Sequence, residues 1–479
     1  MDILFIALFF INMLLAGILI FFERRDVSAT WAWMLIMFFV PFLGFIIYLF
    51  LGQNLTRRHL FDWEGIRKIG IEDRISVQIT QLKNETDIFD IPQVNEYRDL
   101  IYMHLVNNES ILTCGNTIEI LSDGEEKFDR LLTDIHEATD HIHIQYYIFK
   151  NDGLGGEIIK ALTAKAAAGI KVRVLYDELG SRKLTRKDFA SLTAYGGEIG
   201  VFFPSKLALI NLRLNYRNHR KLVNIDGKIG YVGGFNIGDE YLGLKEKFGY
   251  WRDTHFRIEG PAVDAIQTRF ILDWNQASKH FYINYEKRYF PDKNKQGTAA
   301  LQIVSSGPDS EWEQVKNGYI NMIISARKSI YIQTPYFIPD QSLLDALRIS
   351  ALSGKDVRIM IPNKPDHPFV YWATMSYVGE ILKTGAKVYI YEKGFLHAKT
   401  IVVDRKINSV GTANIDIRSF KLNFEVNAFV YDQETSEKLA RLFEADMMDC
   451  TAMTMEKYEQ RSKTIRFKES ISRLLSPIL

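Results

Sequence analysis

Hydrophobic and polar positions divide the 479-residue chain into two very different parts. Near the N terminus, residues 3–22 and 31–51 form two charge-free apolar runs, separated by a short segment that contains charged residues. Each run is about as long as a helix must be to cross the hydrocarbon core of a bilayer, roughly 20 residues. The pattern therefore predicts a two-helix transmembrane hairpin over residues 1–51.

A cleaved signal peptide is the alternative interpretation of the first run. It is disfavoured because no positive segment precedes residue 3 and because a second apolar run follows at once. The positive residues near the hairpin are Arg24 and Arg25 in its loop, and Arg57, Arg58, Arg67 and Lys68 after the second run. The excess beyond the second run predicts a multi-pass protein of the cell membrane, with the rest of the chain in the cytoplasm.

From about residue 110 a strand–helix–strand pattern begins, and it occurs twice. In the first copy, residues 141–149 and 171–176 are typical of strands, and residues 156–168 of a helix that Gly169 closes. The matching segments of the second copy are a strand at 329–337, a helix at 343–352 closed by Gly354, and a strand at 356–361. The repeat indicates a duplicated domain, and its alternation predicts a largely parallel sheet flanked by helices.

The predicted fold class is therefore α/β, with two similar α/β domains behind the N-terminal hairpin. A chain of this length is too long for one typical core. The predicted divisions are the hairpin at 1–51, a linker and small helical or irregular subdomain at 52–109, a first domain at 110–297 and a second domain at 298–479. The net charge of +1 argues against a polyanion-binding protein as a class, and the distant Cys114 and Cys450 are typical of isolated thiols.

One short motif, His-x-Lys-x-x-x-x-Asp followed by a small-residue turn and Asn, occurs in each copy. The matching residues, 178 positions apart, are His219, Lys221, Asp226 and Asn236 in the first copy and His397, Lys399, Asp404 and Asn414 in the second. A single His-x-Lys on a strand is usually ordinary surface. Two complete motifs in register indicate one catalytic site that is built from both copies.

The residue types of this motif suit chemistry on a phosphodiester. Two lysines can neutralise the phosphate oxygens, one histidine can attack phosphorus, and the other can protonate the leaving oxygen. The amides of Asn236 and Asn414 can donate to the same oxygens of the substrate. No metal or other cofactor is required. Side chains alternate along a strand, so Asp226 and Asp404 lie opposite the histidines and are predicted to support turns.

Two carboxylates are candidates for orienting the histidines, because a nucleophilic imidazole needs its other ring nitrogen held. Asp253 follows His219 by 34 positions, and Glu425 follows His397 by 28 positions. Both carboxylates lie on apparent strands beyond the motif turns. The alternative is that they are ordinary ion-pair partners.

The paired motifs resemble those of the phospholipase D superfamily. The hairpin, with its segments 23–25 and 31–33, makes the chain similar to the bacterial cardiolipin synthases over essentially its whole length. The resemblance implies a site at the interface of two similar domains and a covalent phosphohistidine intermediate. It also implies transfer of a phosphatidyl group between two phosphatidylglycerol molecules, which gives cardiolipin and glycerol. By this resemblance His219 is the nucleophile and His397 the acid/base, a choice that the symmetric sequence leaves open.

Other functions stay open from the sequence. A phospholipase D-type hydrolase, or a phosphatidyltransferase that uses another alcohol such as serine or ethanolamine, would need the same residues. A membrane-tethered nuclease is disfavoured by the near-neutral charge and the hairpin, so no nucleic-acid partner is expected. A non-catalytic scaffold is disfavoured because both motifs are complete. Residues 206–217 and 457–479 mix basic and apolar positions, and each stretch fits a membrane surface or an ordinary protein segment.

Overall fold

The computed structural model describes most of the chain from residue 91 onwards and fewer positions before it. The described residues are 10–11, 13–14, 17, 27–40, 44, 48, 60–61, 71–84, 91–204, 215–278, 280–293, 296–364 and 366–476. Most of the first apolar run, part of the second run and most of the stretch at 206–217 lie outside the described residues. Part of the predicted linker and small subdomain and the last three residues of the chain also lie outside the described residues.

The apolar N-terminal region is therefore described only in part. The helix Val27–Phe39 carries no charged residue and covers the first half of the second apolar run. No helix within the described residues is both long enough and apolar enough to cross a membrane. The transmembrane hairpin stays a prediction.

Most strands belong to one large sheet, which has sixteen strands among the described residues. The strands of the first half are β1 Thr113–Leu121, β2 His141–Tyr146, β3 Lys171–Asp177, β4 Glu198–Phe202, β5 Arg217–Asn218, β6 Leu222–Ile225, β7 Ile229–Gly233, β8 Tyr250–Arg252 and β9 His255–Glu259. Those of the second half are β10 Ala299–Ser306, β11 Ser329–Gln333, β12 Phe337–Ile338, β13 Asp356–Pro362, β14 Lys387–Tyr391, β15 Gly394–Leu396, β16 Thr400–Val403, β17 Ile407–Gly411, β18 Ile415–Asp416, β19 Asn423–Tyr431 and β20 Cys450–Met453.

The order of the strands repeats between the halves. It is β1-β9-β7-β6-β2-β3-β4 in the first half and β10-β19-β17-β16-β11-β13-β14 in the second, with β20 added at the outer edge. The halves join where β1 pairs antiparallel with β10. The predicted α/β fold with two similar domains is confirmed.

The prediction of a largely parallel sheet is wrong. Strands β2, β3 and β4 run parallel, and so do β11, β13 and β14, because helices cross over between them. The motif strands β6 and β16 instead run antiparallel to β2 and β11 and to their successors β7 and β17. A connection of only three residues, as between Ile225 and Ile229, can join neighbouring strands only in the antiparallel sense.

Helices cover both faces of the sheet. The α-helices are Val27–Phe39, Ile71–Lys83, Pro92–Glu96, Arg98–Asn108, Gly124–Glu137, Gly153–Ala167, Ala190–Ala194, Val263–Ala277, Gln314–Ser325, Gln341–Leu352, Pro368–Leu382, Ile417–Lys421, Gln433–Asp446, Met455–Glu459 and Lys463–Leu474. The helix predicted from residue 156 begins at Gly153, because the Asp152 side chain accepts from the Gly155 N–H and caps it. Gly169 and Gly354, with φ of +87° and +84°, follow the crossover helices as predicted.

The helices between residues 71 and 108 pack on the second half of the structure. Leu82, Leu100 and Leu105 are buried in the same apolar cluster as Val304 and Tyr319. This segment therefore contributes to the core of the second half, although it precedes the first half in the sequence.

The two motif aspartates support the turns that follow the motif strands β6 and β16. The Asp226 carboxylate accepts from the backbone N–H groups of residues 139–141 at 2.7, 2.8 and 2.9 Å. Asp404 accepts from residues 327–329 at 2.7, 2.7 and 2.8 Å. Both aspartates have positive φ, near +55° and +52°, a conformation that Asp tolerates better than most residues. Each therefore fixes the start of β2 or β11 relative to its own motif strand.

Candidate active site

The two motifs meet at the boundary between the halves, where the short strand just before each motif pairs with a strand of the other half. Strand β5 pairs parallel with the first residues of β19, and β15 pairs parallel with β8. The His219 N–H donates to the Phe424 carbonyl at 2.9 Å, and the His397 N–H donates to the Arg252 carbonyl at 2.7 Å. The backbone of each motif histidine is therefore fixed by the opposite half.

Each histidine side chain also binds a carboxylate of the opposite half. His219 Nδ1 lies 2.9 Å from Glu425 Oε1 and 3.0 Å from Oε2. His397 Nδ1 lies 2.6 Å from Asp253 Oδ2. The sequence supplied both carboxylates as candidates but placed each one after the histidine of its own half. Strand β5 of the first half pairs with β19, and β15 of the second half pairs with β8. Each histidine therefore lies beside the carboxylate of the opposite half and would lack it without that half.

The two carboxylates are supported differently. Glu425 Oε2 accepts from the Thr412 hydroxyl at 2.5 Å. Asp253 Oδ1 accepts from the Thr254 N–H at 2.7 Å. A Cβ at Gly234, which matches Thr412 in the motif turn, would lie only 1.9 Å from Asp253 Oδ1. Only a glycine therefore leaves room for the shorter carboxylate in this position.

The motif lysines lie buried beside the histidines. Lys221 Nζ donates to the His219 carbonyl at 2.6 Å, and Lys399 Nζ donates to the His397 carbonyl. Burial lowers the pKa of Lys221 to about 7 and the pKa of Lys399 to about 8. Charge on the two lysines therefore costs free energy in this buried setting, and an anion beside them would offset that cost.

Burial also keeps both imidazoles neutral. Burial, opposed by the Glu425 carboxylate, lowers the pKa of His219 to about 4. Burial and the Lys399 ammonium lower the pKa of His397 to about 3. Near pH 7 each ring then carries one proton, on the Nδ1 that donates to its carboxylate. The other nitrogen, Nε2, is left with its lone pair, as a nucleophile or proton acceptor requires.

The two asparagines lie buried on the turns that follow the motif strands. Asn236 Nδ2 donates to the Tyr241 hydroxyl at 3.1 Å, and Asn414 Nδ2 donates to Asp416 Oδ2 at 3.1 Å. Each amide nitrogen has two hydrogens, so one donor remains at each position. Donation to a substrate oxygen stays a prediction.

Sequence reasoning missed several polar residues near the motifs. The ring of Tyr147 lies 4.9 Å from that of His219 and meets it edge-on. Asp177 accepts from the Asn218 N–H at 2.9 Å, and burial raises its pKa to about 6. Burial likewise raises the pKa of Asp416 to about 6. Their positions in the sequence could have indicated them. Tyr147 directly follows β2 and Asp177 is the last residue of β3, and the carboxyl ends of parallel strands meet at one edge of the sheet.

No group of three or more His, Cys, Asp or Glu side chains within the described ranges is arranged to hold a metal ion. The positive charge next to the histidines comes from the two lysines. Two lysines and two imidazoles arranged in this way can bind an anionic phosphodiester, attack it with one imidazole and return a proton through the other.

The fold and the two interlocked His–Lys motifs define a protein of the phospholipase D-like class. The family profile described as "Cardiolipin synthase, PLD-like domain" matches residues 131–274 and 319–447. A second profile, "Phospholipase_D-nuclease N-terminal", matches residues 5–53. The chain belongs to the family of bacterial cardiolipin synthases.

Relatives of known name are similar over nearly the whole length. The chain is 62% identical over 475 residues to "Major cardiolipin synthase ClsA" of Bacillus subtilis (strain 168), covering 99% of this chain and 98% of that protein. It is 56% identical over 476 residues to a cardiolipin synthase of Listeria monocytogenes (strain F2365), with 99% of both covered. A cardiolipin synthase of Staphylococcus aureus (strain Mu50) is 54% identical over 476 residues, with 99% and 96% covered.

A solved structure shares the fold. The phosphatidylserine synthase of Haemophilus influenzae Rd KW20 superposes with a TM-score of 0.61 at 14% identity, over 80% of this chain and all of that chain. At this identity the similarity concerns the fold alone.

Binding of a phosphodiester anion is predicted to take up protons. At pH 8 Lys221, whose pKa burial lowers to about 7, is mostly neutral, and an anion beside it raises that pKa. Calorimetric titration with a non-hydrolysable phosphodiester analogue, in buffers of different ionisation enthalpy, should show net uptake of about one proton or less. Lys221→Met should take up fewer protons. Heats that do not depend on the buffer would contradict the prediction.

Proposed function

We propose that this chain is a membrane-bound phosphatidyltransferase that converts two molecules of phosphatidylglycerol into cardiolipin and glycerol. The crossed pairs His219–Glu425 and His397–Asp253 carry the proposal, because they give a nucleophile and a proton carrier at one anion-binding site. Membership of the cardiolipin synthase family supports this choice of donor and acceptor.

In the first step, Nε2 of His219 attacks the phosphorus of one phosphatidylglycerol. The bond from phosphorus to the glycerol oxygen breaks. His397 takes up a proton on Nε2 when the phosphate anion binds beside it, and it gives that proton to the leaving oxygen while its Nδ1 proton stays on the hydrogen bond to Asp253. The product is a phosphatidyl group on His219 and free glycerol. Glu425 accepts a hydrogen bond from the Nδ1–H of His219 and so stabilises the positive charge that develops on the ring.

In the second step, the terminal hydroxyl of another phosphatidylglycerol gives its proton to His397 and attacks the same phosphorus. The bond between phosphorus and His219 breaks, which forms cardiolipin and restores the neutral ring. Lys221 and Lys399 neutralise the phosphate oxygens throughout. The choice of His219 as nucleophile rests on the family resemblance, since both histidines have a buried carboxylate partner.

The remaining motif residues have supporting roles in this proposal. Asp226 and Asp404 fix the turns that place the motif strands, and Asn236 and Asn414 donate to phosphate oxygens. The domain division at residues 297 and 298 fits this scheme, because it lies just before β10 and assigns one complete motif to each domain.

We also propose that residues 1–51 anchor the protein as a multi-pass membrane hairpin, with the catalytic part in the cytoplasm. The apolar runs and the match of residues 5–53 to an N-terminal family profile support the anchor. The C-terminal helix Lys463–Leu474 adds support. Its apolar side chains Phe467, Ile471 and Leu474 point away from the protein and are 68%, 40% and 77% exposed. With basic residues beside them, they suit a bilayer surface better than water.

The topology is tested by chemical labelling of intact cells. In a chain whose two cysteines are replaced by serine, Arg25→Cys lies in the hairpin loop and should react with an impermeant maleimide added from outside. Leu352→Cys, at a position that is 71% exposed on the second half, should react only after lysis. Labelling of Leu352→Cys in intact cells, or failure of Arg25→Cys to react before lysis, would contradict the proposed topology.

The reaction is tested with purified full-length protein and phosphatidylglycerol in mixed micelles. Cardiolipin and glycerol should form in equal amounts, and neither His219→Ala nor His397→Ala should produce them at a measurable rate. Excess EDTA should leave the wild-type rate unchanged, because lysines supply the positive charge. Phosphatidic acid as the main product would replace the proposal by a hydrolase, and preference for added serine or ethanolamine would replace it by another transferase.

A further inference from the structure

A buried aspartate binds a guanidinium group directly behind the first motif. Asp273, on the helix that follows β9, accepts from Arg220 Nη1 at 2.7 and 3.0 Å and from Gln145 Nε2 at 2.6 Å. Burial raises the pKa of Asp273, but Arg220 and Arg269 outweigh it and hold the pKa below the ordinary value. Arg220 Nε also donates to the Glu425 carbonyl at 3.1 Å. The guanidinium thus links the helix to the residue that binds His219.

The second half contains the matching aspartate and glutamine. Asp446, on the helix that follows β19, accepts from Gln333 Nε2 at 2.7 Å and from Arg252 Nε at 2.9 and 3.1 Å. Gln333 ends β11, as Gln145 lies near the end of the matching β2. Arg252 comes from the other half, directly before Asp253, and donates to the Asp253 carbonyl. Here too the guanidinium links a helix aspartate to the residue that binds a motif histidine.

The two arginines lie next to different members of the histidine–carboxylate pair: Arg220 follows a histidine and Arg252 precedes a carboxylate. At the first site the residue after the motif histidine is Arg220, and the residue before the carboxylate is Phe424. At the second site these positions hold Ala398 and Arg252. The guanidinium carbon of Arg220 lies 5.2 Å from the centre of the Phe424 ring, so the two positions are neighbours. At each site one guanidinium joins the helix aspartate to the carbonyl of the orienting residue, although a different strand supplies it; Asp273 also accepts from Arg269 Nη2 at 2.7 Å.

We propose that Arg220 and Arg252 are equivalent positioning residues, which hold the orienting carboxylates Glu425 and Asp253 in line with the histidines. The group that matters is the guanidinium that joins the helix aspartate to the orienting residue, whichever strand carries it. Removal would break the link between the helix aspartate and the orienting residue, and it would free the carbonyl of Glu425 or Asp253. A displacement of about 1 Å at a catalytic hydrogen bond can lower a rate about 100-fold.

The inference rests on the proposed function, because cardiolipin formation is the activity measured. At the second site the arginine and the alanine can be exchanged between positions 252 and 398 with little change in total side-chain volume. Arg252→Ala should lower kcat for cardiolipin formation by about 10- to 100-fold and change KM by less than about three-fold. Ala398→Arg alone should also be impaired, because it adds a second guanidinium to a filled core. Arg252→Ala combined with Ala398→Arg should restore kcat to within about five-fold of the wild type.

Two controls separate positioning from folding. All rates are divided by the fraction of folded protein from thermal melts, and Arg441→Ala, at an exposed arginine of the helix that carries Asp446, should match the wild type. Arg220→Ala provides an independent variant at the first site and should show the same fall in kcat with KM little changed.

A folded swap variant that stays as slow as Arg252→Ala would overturn the proposal. Normal kcat per folded molecule in both Arg220→Ala and Arg252→Ala would also overturn it. A wild-type protein that makes no cardiolipin would instead refute the proposed function.

Discussion

The active site depends on an exchange of hydrogen bonds between the two halves of the chain. His219 binds Glu425 of the second half, and His397 binds Asp253 of the first. The backbone follows the same rule, because each histidine N–H donates to the residue before the opposite carboxylate. These contacts require β1 and β10 to join the halves into one sheet. A displacement of one half relative to the other would therefore disturb both histidines at once.

Burial sets the electrostatic character of this site. The lysines and histidines are all nearly inaccessible to water, and burial lowers the pKa of each of the four groups. The site therefore resists carrying positive charge until an anion enters it. A phosphodiester anion supplies the missing charge, so binding and the correct protonation of the lysines reinforce each other. The carboxylates keep Nδ1 protonated and leave Nε2 as the reacting atom of each ring.

Much of the fold and site could be predicted from the sequence because the signals were local and repeated. The crossover helices, their closing glycines Gly169 and Gly354, and the two motifs all follow short-range patterns. The prediction of a largely parallel sheet was wrong, because the alternation of strands and helices does not extend to the motif strands, which short turns join in the antiparallel sense. The crossed pairing of histidine and carboxylate depends on β5 and β15, which have two and three residues and no sequence signature. The equivalence of Arg220 and Arg252 is likewise visible only once the strands are paired.

The central claim is that one histidine of this crossed site carries the phosphatidyl group between two lipids. The most direct test is to quench the full-length enzyme during turnover with phosphatidylglycerol that carries a radiolabelled phosphate, under alkaline denaturing conditions that preserve phosphohistidine. Peptide mapping should then place the label on His219. Label on His397 would reverse the roles of the two histidines, and turnover without any covalently labelled histidine would contradict the account as a whole.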